Sequence, residues 1–355
     1  MKTGRTLDAL AAEINRQAES KRDYLADTRA LTIRPAGRDG DPVQTGMILD
    51  GVNGGLRINP TAHAQLAEFT GIPRGYYDRM MSEAPELLAR NVNNWLGAQP
   101  KRRMVRTLDG AVRAFLSDSY RPLDNIDLAQ AVLPSLAQLG VEVQSGEVTE
   151  HRFYLKAVTS RLQGEVKRGD VIQAGIAISN SEIGGGALRV EELDFRLVCL
   201  NGMIRESSVR QAHLGRSGGR LDAIEDAREY FKNETRSADD KAFFLKLRDA
   251  VGAMFTPARF EARLDKYRAA AEVRIEGDPV KVIEATAKRL SLTEAEKGGV
   301  LRHLIEGGDL SAWGLANAVT RASQDVESYD RATELEALGG RIIELKPNEW
   351  KALAV

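Results

Sequence analysis

The sequence predicts an α+β protein: a central, mostly antiparallel sheet flanked by helices, with a helical C-terminal region. Three observations predict it. Between residues 141 and 200, short β-branched runs recur between turn residues, the pattern of sheet strands. On either side, apolar residues recur at helical spacing with charges between them. The chain of 355 residues is 43% hydrophobic and 28% charged, enough apolar material for a core and enough length for two or three domains. The expected divisions are 1–100, an N-terminal α/β region with a helical hairpin; 101–215, a β-rich core; and 221–355, a mainly helical region. The best boundary is Gly215-Arg216-Ser217-Gly218-Gly219-Arg220.

From Thr6 to about Asp27, Leu7, Leu10, Ile14, Ala18 and Leu25 stand at near-helical spacing and predict one amphipathic helix. Residues 28–59 alternate short apolar runs with Gly, Asp, Asn and Pro, as strands joined by tight turns do. Asn59-Pro60-Thr61 starts a helix, and Gly71-Ile72-Pro73 ends it and starts the next, which holds Tyr76, Tyr77, Met80 and Met81. A third helix covers Pro85 to Leu96. Two helices around a glycine turn suit a helix-turn-helix, but beside Arg74 and Arg79 few side chains suited to reading bases are present, so an ordinary helical hairpin is expected. Met104 to Leu116 around Asp109-Gly110 reads as a hairpin with a type I′ turn, and residues 126–140 as an amphipathic helix ending at Gly140. Strands follow at Val141–Val143, Arg152–Val158, Val171–Ser179, Ala187–Leu193 and Phe195–Leu200. From Leu221 to Ile275 the chain is helical, with Ile224, Ala227 and Phe231 on one stripe and Pro257 as a break. Two helices surround Ser291-Leu292-Thr293, Leu310–Gly339 is helical, and Arg341–Leu345 reads as a short strand before a final helix.

Composition excludes several classes of chemistry. One cysteine, Cys199, forms no internal disulfide and no cysteine metal cluster, and it points to a reducing cytoplasm. Within the run Leu197–Leu200 it is expected to be buried and inert. The four histidines are scattered without metal-ligand spacing, so neither a metal nor another cofactor is expected. Gly184-Gly185-Gly186 lacks the remainder of a phosphate loop and reads as a hairpin turn. No run is long and apolar enough to span a bilayer, and the charged amphipathic N-terminus is unlike a signal peptide.

The net charge of −1 offers no whole-molecule sign of a polyanion partner. Locally the balance differs. Lys101, Arg102, Arg103, Arg106, Arg113 and Arg121 face only Asp109 and Asp118 between residues 101 and 121. On a hairpin, residues at i and i+2 share a face, so these cations are expected to form one charged surface. Tyr120 beside Arg121 adds an aromatic surface, and Lys156, Lys167 and Arg168 extend the track. Cations with an interleaved aromatic suit single-stranded nucleic acid, held through phosphates and base stacking. A solvated sheet face is the plainer alternative.

Three strings together resemble the phage- and plasmid-borne family catalogued as domain of unknown function 932: Phe115–Asn125, Phe195–Ile204, and Trp313–Thr320 followed by Leu338-Gly339-Gly340. The resemblance spans roughly residues 100–345. It implies a mobile-element setting and an organisation similar to phage proteins that coat and anneal single strands, and it supplies no catalytic residues.

The expected function is therefore non-enzymatic binding of single-stranded DNA, in recombination, replication or repair, by a cytoplasmic homo-oligomer. The alternative is a protein-binding module of a mobile element that acts on a host enzyme or defence system through its C-terminal helices. Hydrolysis ranks third: Asp118, Asp124, Asp127 and Glu191-Glu192 supply carboxylates without a recognised nuclease spacing.

Overall fold

The computed structural model describes residues 1–36, 46–211, 233–346 and 348–350, with side chains for all of these except 206–241. The boundary expected at Gly215–Arg220 and the stripe Ile224, Ala227 and Phe231 lie outside the described residues.

Helix α1 spans Leu7–Ser20, its N-terminus capped by the Thr6 side chain, which accepts a hydrogen bond from the Ala9 amide. Leu10 and Ile14 are buried, but the helix ends before Leu25. Residues Arg22–Asp27 form strand β1, antiparallel to β5 (Arg102–Leu108) from Arg22↔Thr107 to Asp27↔Arg102. The single long helix expected to Asp27 is thus a helix and a strand. A partner strand about 80 residues away in sequence competes with local propensity and wins.

Strands β2 (Thr32–Pro35), β3 (Met47–Asp50), β4 (Leu56–Ile58) and β6 (Ala111–Ser117) complete a six-stranded sheet of order β1-β5-β6-β4-β3-β2. Only the β4–β6 pairing is parallel. Its apolar face, with Ile33, Leu49, Val105 and Phe115, is covered by α2 (Pro60–Thr70), α3 (Arg74–Glu83) and α4 (Pro85–Ala98), which contribute Leu66, Tyr77, Val92 and Leu96. Asn59 caps α2 and Gly71 ends it in the left-handed region at φ 69°. At the β5–β6 turn both Asp109 and Gly110 have positive φ, 51° and 75°, as a type I′ turn requires. Arg16 and Ser20 of α1 both donate to the Asp109 carboxylate, fixing the helix to this turn.

After α5 (Asn125–Gln138), five strands form an antiparallel meander: β7 (Glu142–Val148), β8 (Phe153–Glu165), β9 (Val171–Asn180), β10 (Leu188–Arg196) and β11 (Asn201–Gln211). The strands therefore divide between two sheets, and the β5–β6 hairpin expected in the central core belongs to the N-terminal one. One face of the second sheet carries Ile172, Ala174, Ile176 and Ile178, covered by α5, α6 (Asn233–Met254) and α7 (Pro257–Glu272). The opposite face, with Val158, Ala177, Leu193 and Ile204, packs on Met1 and on Ala337 of α11 (Tyr329–Ile343). Helices α8 (Pro279–Leu290), α9 (Glu294–Gly307) and α10 (Ala312–Ala322) complete the C-terminal region. The strand expected at Arg341–Leu345 is instead the end of α11, because Leu335, Leu338 and Ile342 recur at helical spacing into the same core. No helix among the described residues is long and apolar enough to cross a membrane.

Candidate nucleic-acid interface

The β5–β6 hairpin does not present its cations as one surface. Arg103 and Arg106 point to opposite faces of β5. Arg106 has no exposed side-chain surface. Its Nε and Nη2 donate to Asp23 at 2.8 and 3.0 Å, Nη2 donates also to Asp124 at 2.8 Å, and Nη1 donates to the Glu182 carbonyl at 2.7 Å. A β-bulge at Arg113, which is skipped in the β5–β6 register, turns that residue to the same side, where it pairs with the Glu182 carboxylate. The other Glu182 carboxylate oxygen accepts from the Asn125 amide at 2.7 Å. Lys21 closes the cluster on Asp124. Burial alone favours the protonated Asp124, but Arg106 and Lys21 outweigh it and hold the carboxyl below its ordinary range. The cluster joins β1, β5 and β6 of the first sheet to the β9–β10 connection of the second.

The remaining expected residues divide between core and surface. Tyr120 is buried and donates its hydroxyl to the Ser181 carbonyl at 3.1 Å, which removes it as a stacking platform. Arg103 is half-buried between the rings of Phe69 and Phe115, 4.9 and 4.8 Å from their centroids. Lys156 is buried against Glu336 at 2.6 Å, donates to Thr333 at 2.9 Å and lies over Tyr329. Arg121 is half-buried. Lys167 is exposed and paired with Asp309 at 3.0 Å, and Arg168 is exposed in the β8–β9 turn. Arg106, Arg113, Tyr120 and Lys156 are thus corrected from surface contacts to buried ones. The physical reason is common to all four: each meets an internal carboxylate or carbonyl that satisfies it away from water.

Two of the expected cations, Lys101 and Arg102, stand exposed where α4 leads into β5. The backbones of Lys101 and Thr28 are tied by the Thr28 amide donating to the Lys101 carbonyl at 3.0 Å, which fixes this corner. Trp95, in the last turn of α4, is 40% exposed at the same junction. Sequence reasoning missed it because Leu88, Val92 and Leu96 form the buried stripe, and Trp95, seven residues after Leu88, reads as a member of it. In α3, Arg74 and Arg79 pair along their own helix with Asp78 and Glu83, while Tyr77 is buried.

Among the described residues no group of three or more histidine, cysteine or carboxylate side chains is placed to hold a metal ion. Of the carboxylates considered for catalysis, Asp124 serves Arg106, and Glu192 serves Arg259 and Arg263. Asp118 and Asp127 are exposed, and Glu191 is buried. Cys199 is not in a strand: it is half-buried in the β10–β11 turn, with its Sγ 3.5 Å from Arg196 Nη1.

Two of the three strings that carry the family resemblance, Phe195–Ile204 and Trp313–Thr320 with Leu338-Gly339-Gly340, meet in the core. Asn201 donates to Asn317 and Thr320 of α10, Trp313 Nε1 donates to Asp170 at 2.9 Å, and a Cβ at Gly339 or Gly340 would collide with Thr320 or with the Ile204 backbone. These residues pack β11 against α10 and α11. Comparison of the chain with protein-family models, with curated proteins and with solved structures returns no match in any of the three, so the resemblance rests on its three strings alone.

Proposed function

We propose that the protein binds single-stranded DNA without catalysis, as a self-associating protein of a mobile element, and that the strand crosses the corner formed by Trp95, Lys101 and Arg102. The observation that carries this reading is the exposure of an indole in the last turn of α4 and of two adjacent cations where the chain enters β5. One supplies a base-stacking surface and the others supply phosphate contacts. The three resembling strings supply the mobile-element setting. Fluorescence anisotropy with a labelled oligonucleotide tests it. Lys101→Glu with Arg102→Glu is expected to weaken binding at least tenfold, and Trp95→Ala to cost about 1–3 kcal/mol per stacked base. Affinity equal to wild type in both variants removes this corner.

The second reading, a module that docks on a host protein, draws on a separate observation. Ile305 of α9 and Val280 of α8 are large apolar side chains exposed on the C-terminal helices. Capture of a host protein that is lost with Ile305→Asp favours it over the first.

A further inference from the structure

The turn between β10 and β11 concentrates apolar surface. Leu197, Val198 and Leu200 are 37%, 61% and 59% exposed within four consecutive residues. The turn is held firmly: the Leu197 amide donates to the Val171 carbonyl at 3.0 Å, Arg196 pairs with Asp170, and the Gln324 side chain donates to the carbonyls of Cys199 and Leu200. Leu200 also has φ 51°, in the left-handed region that asparagine or glycine occupies with less strain. A branched apolar residue kept in a strained, solvent-facing position serves nothing inside the hairpin.

A complementary feature lies elsewhere on the same chain. Between α5 and α6 is an open, apolar hollow of about 450 Å³ lined by Ala131, Phe244, Leu245 and Arg248. The charges beside the two features also match. Arg168, in the turn adjoining the hairpin tip, is exposed and makes no ion pair among the described residues. Asp127, one helical turn before Ala131 on α5, is likewise exposed and without an ion pair there. Arg248 is already paired with Asp249.

We propose that the β10–β11 tip of one copy seats in the α5–α6 hollow of the next, with Arg168 facing Asp127 across the contact. Because tip and hollow are different surfaces, the contact is head-to-tail, and it generates rings or open filaments instead of a closed two-fold dimer. Tip against tip would bring the unpaired Arg168 residues together, which disfavours that arrangement. The proposal rests on the self-association in the functional reading above and is independent of the DNA corner.

Light scattering coupled to size exclusion tests it with two variants. Val198→Asp with Leu200→Asn disables the tip, and Leu245→Arg disables the hollow. Leu200→Asn suits the left-handed turn and Leu245 is exposed, so both variants keep the wild-type far-UV circular dichroism. Wild type is expected to be larger than a dimer and each variant alone to be a monomer. An equimolar mixture joins one intact tip to one intact hollow and stops at the mass of two chains. The proposal is overturned by a monomeric wild type, by a tip variant that stays oligomeric, or by a mixture that remains monomeric. A monomeric wild type that sediments with phosphatidylglycerol vesicles through the same tip would also overturn it and assign the tip to a lipid surface. Oligonucleotide anisotropy on the monomeric variants is read separately: loss of self-association with retained binding leaves the DNA reading intact, and the reverse leaves this one intact.

Discussion

Arg106 is the residue on which the junction of the two sheets depends. Its guanidinium makes four hydrogen bonds to two carboxylates and a carbonyl, with no side-chain surface left to water. Removing one member of such a buried cluster strands its partners: Asp23 and Asp124 lose their shared cation, and Glu182 loses a donor to its carbonyl. Arg106→Ala is therefore expected to destabilise the fold by about 1–3 kcal/mol, measured by urea denaturation, because the Glu182 carbonyl loses its donor and Asp124, which keeps Lys21, loses one of its two cations. A loss below about 1 kcal/mol would show that the cluster is dispensable. Lys101→Ala, at an exposed position, is expected to change stability by less than about 0.5 kcal/mol. The sequence offers no local sign of this contrast. Arg102, Arg103 and Arg106 look alike in a basic run, and what separates them is the positions of Asp23 and Glu182, about 80 residues away on either side.

At the scale of elements, the α2–α3 pair is fixed by a polar contact inside an apolar core. His63 Nδ1 lies 2.8 Å from the Tyr77 hydroxyl, with the rings edge to face. Burial, reinforced by Arg74, lowers the His63 pKa from its ordinary 6.5 to about 4. The neutral imidazole and the tyrosine hydroxyl then share this hydrogen bond. A folded-state pKa below the unfolded one means that the unfolded chain takes up the proton first as pH falls. The stability is fully present above pH 6.5 and is lost as pH falls through about 4. The expected loss between those limits is on the order of 3 kcal/mol. His63→Gln should flatten the pH dependence of the denaturation midpoint across this window, and an unchanged slope would exclude His63 as its source. Elements of this kind were legible in the sequence wherever a local device defines them: the Asn59 cap, Gly71, the Asp109-Gly110 turn, and the capping box in which Thr293 and Glu296 exchange hydrogen bonds at the start of α9. Those that failed depend on distant partners. Strand β1 has no glycine or proline before it, only Lys21, and becomes a strand because β5 pairs with it. Arg341–Ile343 stays helical because Ile342 reaches a core built by α7 to α10.

For the whole molecule, a net charge of −1 invites the idea of a bipolar protein, basic on one face and acidic on the other. The charges are balanced differently: many oppose one another inside the fold. Arg113 with Glu182, Lys156 with Glu336, and Arg263 with Glu192 and Asp194 neutralise at buried positions, and buried Arg106 is neutralised by Asp23 and Asp124 at the edge of the fold. All but Arg106–Asp124 couple segments about 70 or more residues apart, so they fix which elements meet more than they charge the surface. The consequence for ligand binding is quantitative. A strand engaging all six cations of residues 101–121 would release about six counterions and give a plot of log K against log salt concentration with a slope near −4, at about 0.7 per phosphate for single strands. Contact through Lys101 and Arg102 alone predicts a slope of about −1.4, with most of the affinity supplied by stacking and therefore insensitive to salt. Titrating an oligonucleotide at several salt concentrations separates the cases. A shallow slope that flattens in Lys101→Glu/Arg102→Glu fits the exposed corner, while a slope near −4 would require Arg106 and Arg113 to leave their carboxylates on binding.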